Sequence, residues 1–188
     1  MNEIKLCAMN RTLLRAKLKS LGSRLDYKIV PDYSNGRDEI YYPQFQQAVR
    51  DEASQMALHY EIFYCLEKSI RSLVVEKLLA EVGPEWWDNA VPESVRINAK
   101  KNRQRELDSG MTSRSEQWID YTTFGELGEI VRQNRDAFAD MFSSTKAFDR
   151  VMNSLNLLRG PIAHCSPMAE DEIDRLHLTL RDWFRLMT

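Results

Sequence analysis

The sequence predicts an all-α protein. Apolar residues recur at helical spacing in residues 44–82, where Met56, Tyr60, Phe63, Ile70, Val74 and Leu78 trace one stripe. The same period returns at Ala147, Val151, Leu155 and Leu158, and again at Ile173, Leu176, Leu180, Trp183 and Met187. Helix-ending and helix-starting residues punctuate these runs. Gly83-Pro84 closes the first, and Ser166-Pro167 fits the N-cap and first position of the last.

Bulk properties narrow the class. A chain of 188 residues that is 43% hydrophobic can bury one sizeable core. The formal net charge of −2 supplies no overall attraction to nucleic acid, so any RNA binding must come from local patches. Cys7, Cys65 and Cys165 are too few and too scattered for a disulfide framework or a zinc site, which favours a reducing cytoplasm. No apolar run approaches the ~18 residues of a membrane span. The opening MNEIKLCAMN lacks the apolar stretch and cleavage site of a signal peptide, so the expected location is the cytoplasm.

Residues 1–50 read as a basic N-terminal extension, and residues 51–188 as the helical domain. Residues 3–21 form a short basic helix, and residues 1–30 carry seven Lys or Arg against Glu3 and Asp26. Between YKIV and EIYY, Asn35-Gly36 suits a tight hairpin turn. Residues 44–82 follow as the longest helical stretch, in one or two helices. Glu67 falls on its apolar stripe, where a lone charge would be very unfavourable, and Arg71 one turn away can pair with it.

Trp86-Trp87 come next, either covering the end of the core or offering a stacking surface for bases. Arg96, Lys100, Lys101, Arg103 and Arg105 then form a basic run with almost no large apolar group. That run reads as exposed and mobile, either a phosphate-tracking arm or a solvated insertion. Thr122 or Thr123 caps a helix carrying Phe124, Leu127, Val131, Phe138 and Met141-Phe142, and the next helix starts near Ser143 or Ser144. Glu170, Asp171 and Glu172 suit the positive end of the last helix.

Leu158-Arg159-Gly160-Pro161-Ile162-Ala163-His164 is the most informative segment. On an unbroken helix Arg159 and His164 would lie roughly 140° apart. Gly160-Pro161 is expected to break the helix and turn both side chains toward one point. A permanent cation beside a titratable imidazole suits phosphate chemistry.

Arg-x4-His between two amphipathic helices resembles the signature of the HEPN superfamily of small helical domains, many of them ribonucleases. The resemblance continues, in order, through Glu67-x3-Arg71, Gly83-x2-Trp86-Trp87, IDYTTFGELGEIV and LLRGPIAH. That order is similar to the Swt-type branch and covers roughly residues 55–187, about 130 positions. It implies an antiparallel helix bundle in which Glu67 contacts Arg159 or His164 and orients it.

The implied activity is metal-independent endoribonucleolysis of a toxin or defence type. The RNA's 2′-hydroxyl attacks the adjacent phosphate and leaves a 2′,3′-cyclic phosphate. His164 is the acid–base candidate, since histidine's ordinary pKa near 6.5 suits proton transfer at neutral pH. Arg159 would neutralise the phosphoryl oxygens with its planar fork. Each domain offers one motif His where the reaction needs an acid and a base. The resemblance, in which two domains commonly pair around one cleft, implies a homodimer, with an antitoxin or defence-system protein as a candidate partner.

Gly160 departs from the usual polar residue after the motif Arg, and this leaves a second reading, a non-catalytic module that binds RNA or a partner protein. Other chemistries are poorly supplied. Cys165 adjoins His164, but neighbouring side chains seldom face each other. His59, His164 and His177 lack metal-ligand spacing, and no Gly-rich phosphate loop is present, so neither metal nor cofactor is expected.

Overall fold

A computed structural model describes residues 41–187. The basic helix expected at 3–21, and all but the last residues of the expected hairpin, lie outside them. The chain divides into two compact units, Met1–Arg50 and Asp51–Thr188. The second carries the core. The described residues form six α-helices, two 3-10 turns and no strand, so the fold is all-α.

The first helix, α1 (Gln47–Val82), runs unbroken for 36 residues. Its buried apolar stripe is Phe63, Leu66, Ile70, Val74 and Leu78, about two turns shorter than the periodicity suggests, because Met56 is only partly buried and Tyr60 is exposed. Gly83 ends the helix at φ 89°, a left-handed conformation that favours glycine. Trp86 and Trp87 open the short α2 (Trp86–Ala90) in a T-shaped pair at 5.6 Å. Both are partly buried against the core, so they act as packing residues.

The basic run is a regular helix rather than a mobile arm. It lies within α3 (Glu93–Asp108), which fully buries Val95 and Ala99 one turn apart. The helix packs on the 3-10 turn Trp118–Tyr121. The Arg103 guanidinium lies over the Trp118 ring at 4.6 Å, and Asn102 donates to the Tyr121 carbonyl. Cation–π contact and one partly buried amide supply the packing that the low apolar content conceals.

Thr123 caps α4 (Phe124–Gln133) with a reciprocal capping box. Its hydroxyl accepts from the Glu126 amide, and the Glu126 carboxylate accepts from the Thr123 amide. This helix is shorter than expected. Phe138, Met141 and Phe142 fall in the turns that follow, where Phe138 stacks on Phe142 and Phe142 meets Phe148 and Trp183. Ser144 caps α5 (Thr145–Ala163), which packs between α4 and the last helix, α6 (Glu170–Leu186). The latter starts after Ala169, not at Ser166-Pro167, with Glu170, Asp171 and Glu172 in its first turn.

The expected break at Gly160-Pro161 does not occur. The α5 helix continues through Pro161 to Ala163. Leu155 and Leu158 are buried and Ile162 packs beside them, so this stripe holds the backbone helical past the proline. Leu157, whose carbonyl loses the Pro161 donor, is 78% exposed, and water can take the donor's place.

Candidate functional site

Three sequence-distant segments meet around the Glu67 carboxylate and its Arg71 partner. One oxygen, Oε1, accepts from Arg71 Nη2 at 2.7 Å, while Oε2 faces Arg159 Nε at 3.4 Å. Glu67 therefore joins its own helix to α5, and the two pairings left open by the sequence coexist. Arg71 is locked on its far side as well. Its Nε donates to the Ile119 carbonyl at 3.1 Å, and Nη2 reaches the Thr122 carbonyl at 3.3 Å. Asp120 stands 3.7 Å from Arg71 Nε. With Arg71 91% buried, this network satisfies a charge that would otherwise be costly to desolvate.

Asp120 and the two carbonyls are the site residues that sequence reasoning missed. They lie on the 3-10 turn and the segment leading into α4, some fifty residues from Arg71. The IDYTTF stretch marks the place without revealing the contact.

Glu67, Arg71 and Arg159 line one wall of a cleft of about 1100 Å³, together with Ile162 and Ala163. Tyr60, Tyr64 and Lys68 continue that wall along α1, while Arg105, Glu106, Met111 and Arg114 belong to α3 and the loop after it. Five cationic side chains face three carboxylates, so the cleft is locally positive in a chain whose overall charge is −2. Arg114 pairs with Glu106 and sits over the Tyr121 ring at 5.3 Å.

The five residues of the basic run do not act as one patch. Arg105 lines the cleft. Arg96 and Lys100 face a separate groove beside Trp87 and Trp118, where Arg96 pairs with Asp88. Arg103 is held by Glu116 and the aromatic rings, and Lys101 is exposed.

His164 occupies the C-cap of α5, one residue past the helix, and is exposed. It is not among the residues lining the cleft that holds Arg159. An intact helix puts the two roughly 140° apart, so the fold does not bring them together through a bend. The chain turns at Cys165 (φ 53°), and the Ser166 amide donates to the Pro161 carbonyl at 2.8 Å. This six-residue closure is the outer bond of a Schellman-type cap, with cysteine where glycine is usual. Cys65 and Cys165 are both free and exposed.

Among the described residues, no group of three or more His, Cys, Asp or Glu side chains converges as a metal site, and no helix is long and apolar enough to cross a membrane. The all-helical architecture and the Glu67–Arg159 contact next to an Arg-x4-His segment agree with the resemblance to HEPN domains. The Swt1-like HEPN family matches residues 61–188, and the chain belongs to that family. No curated protein and no solved structure matches it. Membership points to ribonuclease or nucleotide-binding work as the general kind of function.

Proposed function

We propose that this protein is a metal-independent endoribonuclease of the toxin or defence type that works in the cytoplasm as a homodimer. The observation that carries the reading is Arg159, held through Nε by Glu67 at the wall of a locally positive cleft. Engaging Nε leaves spare donors on the terminal nitrogens, and Arg159 makes no other ion pair among the described residues. Those nitrogens can form a fork onto two phosphoryl oxygens and offset the charge that grows there in the transition state.

In the proposed reaction a base removes the proton from the RNA 2′-hydroxyl, whose oxygen then bonds to the adjacent phosphorus. The bond from phosphorus to the 5′-oxygen breaks, and an acid returns a proton to that leaving oxygen. The products are a 2′,3′-cyclic phosphate and a 5′-hydroxyl. His164 acts in proton transfer. Its exposed position at the end of α5, outside its own cleft, suits delivery to a site shared by two copies, where two imidazoles supply base and acid.

The same exposure, with Gly160 following Arg159, favours the second reading of a module that binds RNA without cutting it. His164→Ala separates the two. A catalytic His164 makes this variant lose about 10²–10⁴ in cleavage rate at unchanged melting temperature and RNA affinity. Undiminished cleavage by the purified variant would remove His164 from the chemistry.

A further inference from the structure

Tyr60, Tyr64, Glu67 and Arg71 all line the cleft from one face of α1. They recur at four-, three- and four-residue steps, which align them on one side of the helix with Tyr60 about 10 Å along the axis from Glu67. Tyr60 and Tyr64 are 59% and 56% exposed, although both flank the buried Phe63 of the apolar stripe. Their rings form a tilted pair 6.1 Å apart. Core packing does not account for two large adjacent aromatics left open to solvent beside a cluster of cations.

The cations near them have spare donors. Arg105 has no ion pair or side-chain hydrogen bond among the described residues, and Lys68 has only a 4.0 Å contact with Asp120. Arg71 is fully engaged and cannot serve. The cleft thus joins an aromatic surface to sparsely paired positive charge, with the Glu67–Arg159 pair on the same wall.

We propose that this cleft selects unpaired RNA by stacking a base on Tyr60 and Tyr64 while Arg105 and Lys68 hold the flanking phosphates. The inference rests on the ribonuclease reading for the identity of the nucleic acid, and it names the substrate class of that same site. A base can stack on tyrosine only when its face is free, and in an A-form duplex neighbouring bases cover both faces. A flexible single strand can also bring its 2′-oxygen into line with the phosphorus, which a continuous duplex hinders. Tyr60 and Tyr64 are therefore specificity-determining residues and take no part in proton transfer.

The test uses the full chain carrying His164→Ala, so that bound RNA stays intact. Fluorescence anisotropy at one fixed salt concentration measures the affinity for an end-labelled unpaired oligonucleotide and for the same sequence within a duplex. The unpaired strand should bind at least about tenfold more tightly. Tyr60→Ala and Tyr64→Ala should each lower that affinity by about five- to a hundredfold, while Tyr→Phe at either position keeps it nearly intact because the ring persists.

Equal affinity for duplex, no detectable RNA binding, or alanine variants that bind like the parent overturn the proposal. A Phe variant that fails as badly as its Ala counterpart does so too, since the hydroxyl and not the ring would then be the contact. A wild-type chain that cleaves RNA, with binding indifferent to both tyrosines, overturns the stacking site and leaves the ribonuclease standing. Tyrosine-dependent binding without any cleavage by the wild type does the reverse.

Discussion

The two ends of the Arg-x4-His segment are built in opposite ways. Arg159 rests on Glu67, which rests on Arg71, which is fixed by backbone carbonyls and Asp120. Every link in that chain is at least partly withdrawn from water. His164, five residues on, is exposed at a helix end whose cap uses a strained cysteine. The fold spends its buried polar contacts on the cation and leaves the imidazole free. In the proposed reaction the permanent charge must be held in place to act on the phosphate, and an acid–base group proposed to meet a second copy of the chain gains from being accessible.

The largest effect expected from this contrast is on stability. Arg71→Ala should cost about 2–4 kcal/mol, because it leaves the Glu67 carboxylate with Arg159 alone and takes the arginine donor from the Thr122 carbonyl, while the Ile119 carbonyl keeps its bonds from Thr122. Denaturant unfolding measures this, and a loss below about 1 kcal/mol would mean that the Arg71 network is ornamental to the fold.

Arg159→Lys should leave stability almost unchanged, since this side chain is 39% exposed. It should lower RNA cleavage by about 10²–10³, because an ammonium keeps the charge but cannot hold Glu67 and two phosphoryl oxygens in one plane. Equal activity in the two proteins would reduce Arg159 to a point charge.

At the other end of the segment, Cys165→Gly should raise the unfolding free energy by at most about 1 kcal/mol, because the left-handed conformation no longer strains a Cβ. A thermal melt and a cleavage assay on the same preparation sharpen the comparison. Stabilisation with full activity would show that the cap serves only to end the helix. A fall in activity would show that the cap also sets the position of His164.

The smallest effect concerns His59, two turns before Glu67 on α1. It is 9% exposed, and its Nδ1 has no hydrogen-bond partner among the described residues. Burial, helped by the nearby His177 charge, holds its pKa below the ordinary 6.5. The unfolded chain therefore takes up the proton first as pH falls. Stability from this residue is complete above the unfolded pKa and drains away as pH drops through the lowered folded value. The urea midpoint should fall more steeply on acidification for the wild type than for His59→Phe. Parallel curves would show that His59 carries no part of the acid sensitivity.

Much of this was legible locally. The capping box at Thr123-Glu126, the Ser144 cap, the acidic first turn of α6 and the Gly83 stop are short-range hydrogen-bond and dipole effects. Glu67 and Arg71 were legible as a pair because i,i+4 spacing on one helix guarantees proximity. The failures are equally local in form. Gly160-Pro161 looks like a helix stop when only backbone propensity is counted, and the basic run looks disordered when only large apolar residues are counted.

The sequence by itself determined the all-helical class, because helical periodicity acts along the chain, and the family, because its ordered motifs resemble that family and its residues 61–188 match it. Tertiary structure decided three other matters. It carried α5 through Pro161 by burying Leu155 and Leu158 and packing Ile162 beside them, and it seated α3 by setting Arg103 on Trp118. It also gave Glu67 its second partner, Arg159, ninety-two positions away. The physical reason is common to all three. Propensity and pattern act over a turn or two of helix, whereas burial and ion pairing depend on which surfaces meet, and only the folded bundle sets that.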